Sequence, residues 1–141
     1  MIELEVLRIL VDFGLVILIW MVQLIIYPSF NYYSKTDLIQ WHHIYTGRIT
    51  IVVFPLMASQ LGISIIQLAA DPSIFHILYG VFVAFSWVIT MALFVPMHNQ
   101  LSSKDFDSKI PKNLVKFNWI RTIAWSLLFI LSLLNFYDML S

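Results

Sequence analysis

The sequence has no cysteine, which excludes disulfide bonds, thiolate metal ligands, cysteine-ligated iron–sulfur clusters and c-type haem attachment. Charged residues are scarce too, at 11% of the chain, against about 25% in a typical soluble domain. The chain also lacks a P-loop, a GxGxxG motif and a basic tract, so it gives no sign of nucleotide or nucleic-acid binding. Its acidic start, Met-Ile-Glu-Leu-Glu, differs from a secretory signal peptide, and we expect the first apolar run to be a retained helix.

Apolar residues are abundant instead. They make up 60% of the chain, and its mean hydropathy is +0.86. Four apolar runs lie at about 9–27, 49–70, 75–96 and 119–137. Each is close to the roughly 20 residues that a helix needs to cross a hydrocarbon layer of about 30 Å. The sequence therefore predicts a polytopic integral membrane protein.

Short connections between the runs predict an all-α protein, a single domain over residues 1–141 with up-down-up-down topology. We expect its four transmembrane helices at about 8–27, 37–70, 74–97 and 117–137, with a hydrophilic loop at 98–116. Ser34 or Thr36 is suited to cap the second helix. The brief Asp-Pro-Ser connection at 71–73 predicts a tight hairpin of the second and third helices.

The basic residues lie almost entirely on one side of the predicted bundle. Seven of the eight belong to the first and third loops or their flanks: Lys35, Arg48, Lys104, Lys109, Lys112, Lys116 and Arg121. The other side has Arg8 alone, together with several acidic residues. By the positive-inside rule, both of these loops face the cytoplasm and both termini lie outside it, as expected for a protein of the bacterial inner membrane.

The first helix carries polar residues within its apolar run. Asp12, Gln23 and Tyr27 share one helical stripe and should face the bundle together. An acid inside a membrane helix is costly unless it is paired. We expect Arg8, one turn earlier, to pair with Asp12 near the outer surface.

A group of polar residues falls at the predicted cytoplasmic ends of the four helices. The candidate catalytic residues are His42, His43, His98, Arg48 and Arg121, and the candidate substrate-binding residues are Tyr27, Tyr45, Asn99, Asn118 and Trp119. Alternating helix directions bring all of them to the same end of the bundle.

Three interpretations of this group stay open. It can be a polar lid in which arginines reach phosphate and histidines populate the interface; His76, at the other end, is assigned to such a lid. It can be a pocket open to the bilayer, with arginines binding an anion and a histidine moving a proton. It can bind haem or a metal through His43 and His98, from neighbouring antiparallel helices, although histidines without cysteine or paired carboxylates are a weak metal signal.

Two short motifs carry a resemblance to a known family. Pro96-Met97-His98-Asn99-Gln100-Leu101 follows the third helix, and Trp119-Ile120-Arg121-Thr122 opens the fourth. With four helices in about 140 residues, the chain resembles the anthrone-oxygenase-like family of small membrane proteins. The resemblance implies oxidation of a phenolic or polycyclic aromatic substrate by oxygen, without a nucleotide cofactor. It carries over Asn99, Trp119 and Arg121, while His98 stands where the family often has asparagine.

The leading functional hypothesis is a small membrane oxidoreductase that acts on a lipophilic substrate, aromatic or isoprenoid-like. The alternatives are a structural or accessory subunit of a larger membrane complex and a haem- or metal-binding redox protein. The expected partners are the lipid bilayer, a lipophilic small molecule, and a membrane-protein partner or a second copy of the chain. Nucleic acid is not expected among them.

Overall fold

The computed structural model describes residues 2–103 and 105–140, which fold into four long helices. They are α1 (Ile2–Tyr32), α2 (Lys35–Ala70), α3 (Ile74–Leu101) and α4 (Ile110–Met139), and all four are long and apolar enough to cross a membrane. They run alternately up and down, and each packs against its two neighbours, with α1 closing the bundle against α4. The predicted four-helix membrane bundle is confirmed.

The bundle has two distinct ends. The loop end carries residues 33–34, which join α1 to α2, and residues 102–103 and 105–109, between α3 and α4. The terminal end carries the start of α1 and the short α2–α3 connection at 71–73. The cap of α2 is Ser34, whose hydroxyl oxygen accepts a hydrogen bond from the backbone N–H of Asp37.

Three helices extend further toward the loop end than the hydropathy predicts. α1 continues past residue 27 to Tyr32, α3 continues past residue 97 to Leu101, and α4 begins at Ile110 rather than near residue 117. The extra turns are amphipathic, because Leu101 and Leu114 are fully buried while polar neighbours face outward. A hydropathy window ends where polar residues begin, whereas the helix continues as long as one face stays apolar. Lys104, in the predicted loop, lies outside the described residues.

The distribution of polarity suits a lipid environment. Large apolar side chains are exposed around the outside, as with Ile51 and Ile74. The interior holds apolar residues such as Leu15 and Val83 but also several buried polar and charged groups, including Arg8. Polar groups in a membrane helix turn toward the bundle interior, where they find partners that lipid cannot offer. The molecule is accordingly an integral membrane protein.

Candidate functional site

A cavity of about 270 Å³ lies between α2 and α3 in the half of the bundle nearest the loop end, with α1 and α4 behind it. Most of its lining is apolar, from residues such as Val53, Met57 and Trp87. Its polar or charged lining side chains include Tyr27, Tyr45, His98, Asn99 and Arg121. An apolar cavity with a few convergent polar groups is the usual form of a small-molecule site.

The cavity opens toward the surrounding lipid. Among the lining residues that are also exposed on the outer surface are Thr50 and Phe54 of α2, and Met91 and Val95 of α3. They stand on the two helices that flank the gap. A lipophilic molecule can therefore reach the cavity sideways from the bilayer.

Two widened helical turns shape the cavity. Val22–Ile26 in α1 and Thr90–Phe94 in α3 are π-helical, and each comes just before a proline, Pro28 or Pro96. In each turn the residue before the proline donates its backbone N–H to the carbonyl five residues earlier. Proline has no N–H and disrupts the regular ladder, and a π turn re-satisfies the backbone nearby. The turn in α1 leads directly into Tyr27, whose ring is buried.

Two histidines and their neighbours form a continuous chain of hydrogen bonds, here named the histidine chain: Tyr27, His98, His42 and Ser102. The Tyr27 hydroxyl is 2.9 Å from Nε2 of His98, and Nδ1 of His98 is 2.7 Å from Nε2 of His42. Nδ1 of His42 is 3.0 Å from Oγ of Ser102. The two imidazole rings are stacked, with centroids 5.0 Å apart. Since a single hydrogen occupies the bond between the rings, the two histidines cannot both be doubly protonated.

Arg121 places a buried positive charge beside this chain. Only 6% of the residue is exposed. Its guanidinium carbon lies 4.2 Å from the ring centroid of Phe94 and 5.1 Å from that of Trp125. Its charge also interacts with Tyr27 and His98.

No carboxylate within residues 2–103 and 105–140 forms an ion pair with Arg121, and its Nε has no hydrogen-bond partner there. Burying a charge without a counter-ion is costly. Aromatic rings hold the guanidinium plane in position by stacking and cation–π attraction, but they do not neutralise it. The site is thus electrostatically suited to an anionic group that arrives with a ligand.

The structure brings six of the candidate residues together. Five of them line the cavity: Tyr27, Tyr45, His98, Asn99 and Arg121. The sixth, His42, lies behind the cavity and is fully buried. The shared height of these residues followed from the alternating helix directions, whereas their inward orientation comes from helix rotation that the spacing alone left open.

Four other candidates lie away from the cavity. His43 and Arg48 are exposed on α2 and do not line it. Trp119 is half-exposed and packs edge-to-face on Trp20, with centroids 5.7 Å apart. Asn118 is buried but donates its side-chain N–H to Oε1 of Gln23 at 3.0 Å.

His43 and His98, the predicted ligands of haem or a metal, do not face each other across a common site. His43 is exposed, while both ring nitrogens of His98 are engaged with Tyr27 and His42. In the described part of the chain no group of three or more His, Asp or Glu side chains is placed to hold a metal ion. The histidine that joins His98 is His42, on the inner face of α2, instead of its exposed neighbour.

Three residues of the site were not among the candidates predicted from the sequence. Ser102 ends the histidine chain, and Phe94 and Trp125 stack on Arg121. Ser102 had a usable signal, because it follows His98 by four residues and so lies on the same helical face. The two aromatic residues had none, since apolar rings in a membrane helix face lipid as often as a site.

A second polar group, here named the terminal network, lies inside the bundle near its terminal end. The Asp12 carboxylate accepts hydrogen bonds from Gln60 Nε2 at 2.6 Å, from the Tyr79 hydroxyl at 2.7 Å and from the Ser132 hydroxyl. Asp12 is 1% exposed. Three donors on three other helices therefore hold this carboxylate within the bundle.

Arg8 does not form the predicted ion pair with Asp12. Its guanidinium pairs with Glu5 at 2.5 Å and donates to Ser132 and Gln67, each at 3.1 Å. The Ser132 hydroxyl accepts from Arg8 and donates to Asp12, so it links the two indirectly. Glu5 is better placed for the direct pair because it precedes Arg8 by three residues on the same helical face.

His76 was predicted to belong to a polar lid, but it is buried and adjoins the terminal network. Its Nδ1 lies 2.7 Å from the backbone carbonyl of Asp71, which can only accept, so Nδ1 carries a hydrogen. Its Nε2 faces Oε1 of Glu5 at 3.8 Å. The ring is turned inward because Ser73 and Asp71 hold it from the connection at 71–73.

Comparison of the chain with models of protein families, with curated proteins and with solved structures finds no match. The resemblance to the anthrone-oxygenase-like family therefore stays a prediction from the two motifs.

Proposed function

We propose that this protein is an integral membrane oxidoreductase that takes a lipophilic aromatic substrate with an acidic head group into the cavity between α2 and α3. The observation that carries the proposal is Arg121, a buried cation without an ion-pair partner among the described residues, at an apolar cavity open to lipid. The loop end faces the cytoplasm in this proposal, as the distribution of basic residues predicts.

The cavity is suited to a head group more than to a whole lipid. Its volume of about 270 Å³ lies just under the roughly 300 Å³ at which pockets for drug-sized ligands begin. The opening beside Thr50 and Met91 leaves room for the remainder of a larger molecule to stay in the bilayer. An aromatic head also matches the rings of Phe54, Trp87 and Phe94 around the cavity.

The polar groups divide the acid–base work between them. Tyr27 and His98 are placed to accept a proton from the head group, since they line the cavity and share a hydrogen bond. The anion that is left behind is stabilised by Arg121, whose fixed guanidinium needs no reorganisation as negative charge develops. Enolisable ketones and phenols are the substrate classes that form such an anion.

Dioxygen is the oxidant that the resemblance implies, and anthrone illustrates the balance. Anthrone loses one proton from its ring methylene to give an aromatic anion, and the same carbon is then oxidised to a carbonyl by one molecule of dioxygen. Two hydrogens leave the carbon, one oxygen atom enters the product, and the other leaves as water. The residues of the site supply binding, charge stabilisation and proton transfer in this scheme.

A test of the proposal measures oxygen uptake and anthraquinone formation with purified protein in lipid nanodiscs and anthrone as the probe. Met91→Trp fills the lipid-facing opening, and we expect it to raise KM at least about tenfold, which corresponds to about 1.4 kcal/mol of lost binding. Val88→Trp is the matched control, because Val88 is exposed on α3 and does not line the cavity.

Two results would contradict the proposal. Oxygen uptake no faster than in protein-free nanodiscs would remove the oxidoreductase assignment for this substrate class. Equal KM values for Met91→Trp and Val88→Trp would show that the substrate does not use the opening between α2 and α3.

A further inference from the structure

We infer that His42, which lies behind the cavity, and Ser102 form a proton relay that carries the proton of a bound head group from Tyr27 and His98 to the loop-end surface. The origin of the proton rests on the proposed function. The relay itself rests on the three hydrogen bonds of the histidine chain.

The histidine chain has two complete arrangements of its hydrogens. In the first, the Tyr27 hydroxyl donates to His98, Nδ1–H of His98 donates to His42, and Nδ1–H of His42 donates to Ser102. In the second, every one of these bonds is reversed, and both histidines carry their hydrogen on Nε2. Both arrangements keep the imidazoles neutral and satisfy every ring nitrogen, which is the condition for a proton to pass along the chain.

The transfer conserves protons at each step. Tyr27 takes a proton from the substrate as it gives its own to Nε2 of His98. The Nδ1 proton of His98 moves to Nε2 of His42, and the Nδ1 proton of His42 moves to Ser102, which releases its hydroxyl proton to water. One proton leaves the substrate and one reaches the surface. A later proton that passes in the opposite direction restores the first arrangement.

His42 has no other evident use at the site. It is fully buried and does not line the cavity, so it does not contact a molecule held there. A head group bound in the cavity displaces the water that would otherwise take its proton. The path through His42 stays available, because His42 itself lies outside the cavity and the path ends at Ser102, which lines the cavity but is also exposed at the end of α3.

The ring of His42 is held in its orientation by its surroundings. Phe30 packs edge-to-face against it, with centroids 5.9 Å apart, and His98 stacks on its face. A fixed ring keeps both nitrogens aligned with their partners. Proton transfer along such a chain then requires small hydrogen displacements and no side-chain rotation.

The first experiment tests the relay without any substrate. In protein labelled with ¹⁵N at histidine, we expect a scalar coupling across the hydrogen bond between Nε2 of His42 and Nδ1 of His98, and the same tautomer in both rings. His42→Gln should abolish the coupling, whereas Gln40→Ala, at an exposed position of α2, should keep it. Absence of the coupling in the unmodified protein, or opposite tautomers, would overturn the relay.

The second experiment measures turnover of anthrone. His42→Ala should lower kcat by about 100-fold, the lower range for general acid–base catalysis, with KM nearly unchanged because His42 does not line the cavity. Imidazole added to the buffer should restore part of kcat by occupying the vacated space, an effect that a merely structural role would not produce. Gln40→Ala again serves as the control.

The outcomes separate the two proposals. Normal kcat in His42→Ala, beside an active unmodified protein, would overturn the relay and leave the proposed function standing. A lowered kcat that imidazole does not restore would also count against the relay. If the unmodified protein does not oxidise anthrone, the proposed function fails for that class, and the scalar coupling alone decides whether the relay exists.

Discussion

Replacing Arg8 by methionine is expected to lower the free energy of unfolding by about 3–5 kcal/mol, the cost of removing one partner from a buried ion pair. Arg8 is fully buried, and Glu5 and Asp12 beside it are 7% and 1% exposed. Without the guanidinium, two carboxylates share the terminal network with no arginine or lysine among their contacts. Reversible unfolding in mixed micelles, followed by circular dichroism, measures the loss.

A second variant separates the charge effect from the loss of packing. Glu5→Gln combined with Arg8→Met removes both members of the ion pair, and we expect it to be more stable than Arg8→Met alone. Leu7→Met is the control, because Leu7 is exposed on the lipid-facing side of α1. If Arg8→Met proved as stable as Leu7→Met, the terminal network would not contribute to holding the bundle together.

The sequence predicted the fold because a bilayer leaves few alternatives. Four apolar runs with short connections require four helices, and alternating directions require an antiparallel bundle. The helix ends were less accurate, since α4 begins at Ile110, within the predicted loop. Hydropathy detects contact with lipid, whereas helices such as α3 continue into the interface on amphipathic turns.

The sequence predicted at which level of the bundle the candidate residues lie, but not which of them face the interior. His42 and His43 are neighbours on α2, so the sequence alone makes them nearly equal candidates for the site. In the structure His42 is fully buried and His43 is exposed. Arg48 and Arg121 differ in the same way. Which side of a helix faces inward depends on packing against its neighbours. In a soluble helix the difference in polarity between the two faces indicates that side, but in a membrane helix the outward face is apolar as well, so this difference is small.

The terminal network shows a different limit of the sequence. Glu5, Arg8 and Asp12 are spaced to share one face of α1, so the sequence predicts that they lie close together. Their partners Gln60 and Ser132 lie on α2 and α4, and nothing in local spacing identifies them. Long-range hydrogen bonds of this kind depend on helix depth and rotation together.

Substitution of Arg121 is expected to have the largest effect on activity. Arg121→Lys keeps a positive charge but loses the planar guanidinium that lies against the rings of Phe94 and Trp125. We expect kcat to fall by about 100- to 1000-fold, as when a donor that stabilises a developing anion is removed. Arg48→Lys should have a much smaller effect, because Arg48 is exposed and does not line the cavity. Similar losses in the two variants would contradict the assignment of the anion site to Arg121.

Stability measurements on Arg121→Met give this assignment a second, independent test. A buried guanidinium with no ion-pair partner among the described residues carries a desolvation cost that destabilises the bundle. Removing it should therefore leave the melting temperature unchanged or raise it, while anthrone turnover is lost. Arg8→Met should do the opposite, since Arg8 neutralises carboxylates that stay buried. Protection of the unmodified protein by an anionic aromatic ligand, and none in Arg121→Met, would be the matching result in the bound state. A marked loss of stability in Arg121→Met would instead make Arg121 a structural residue of the bundle.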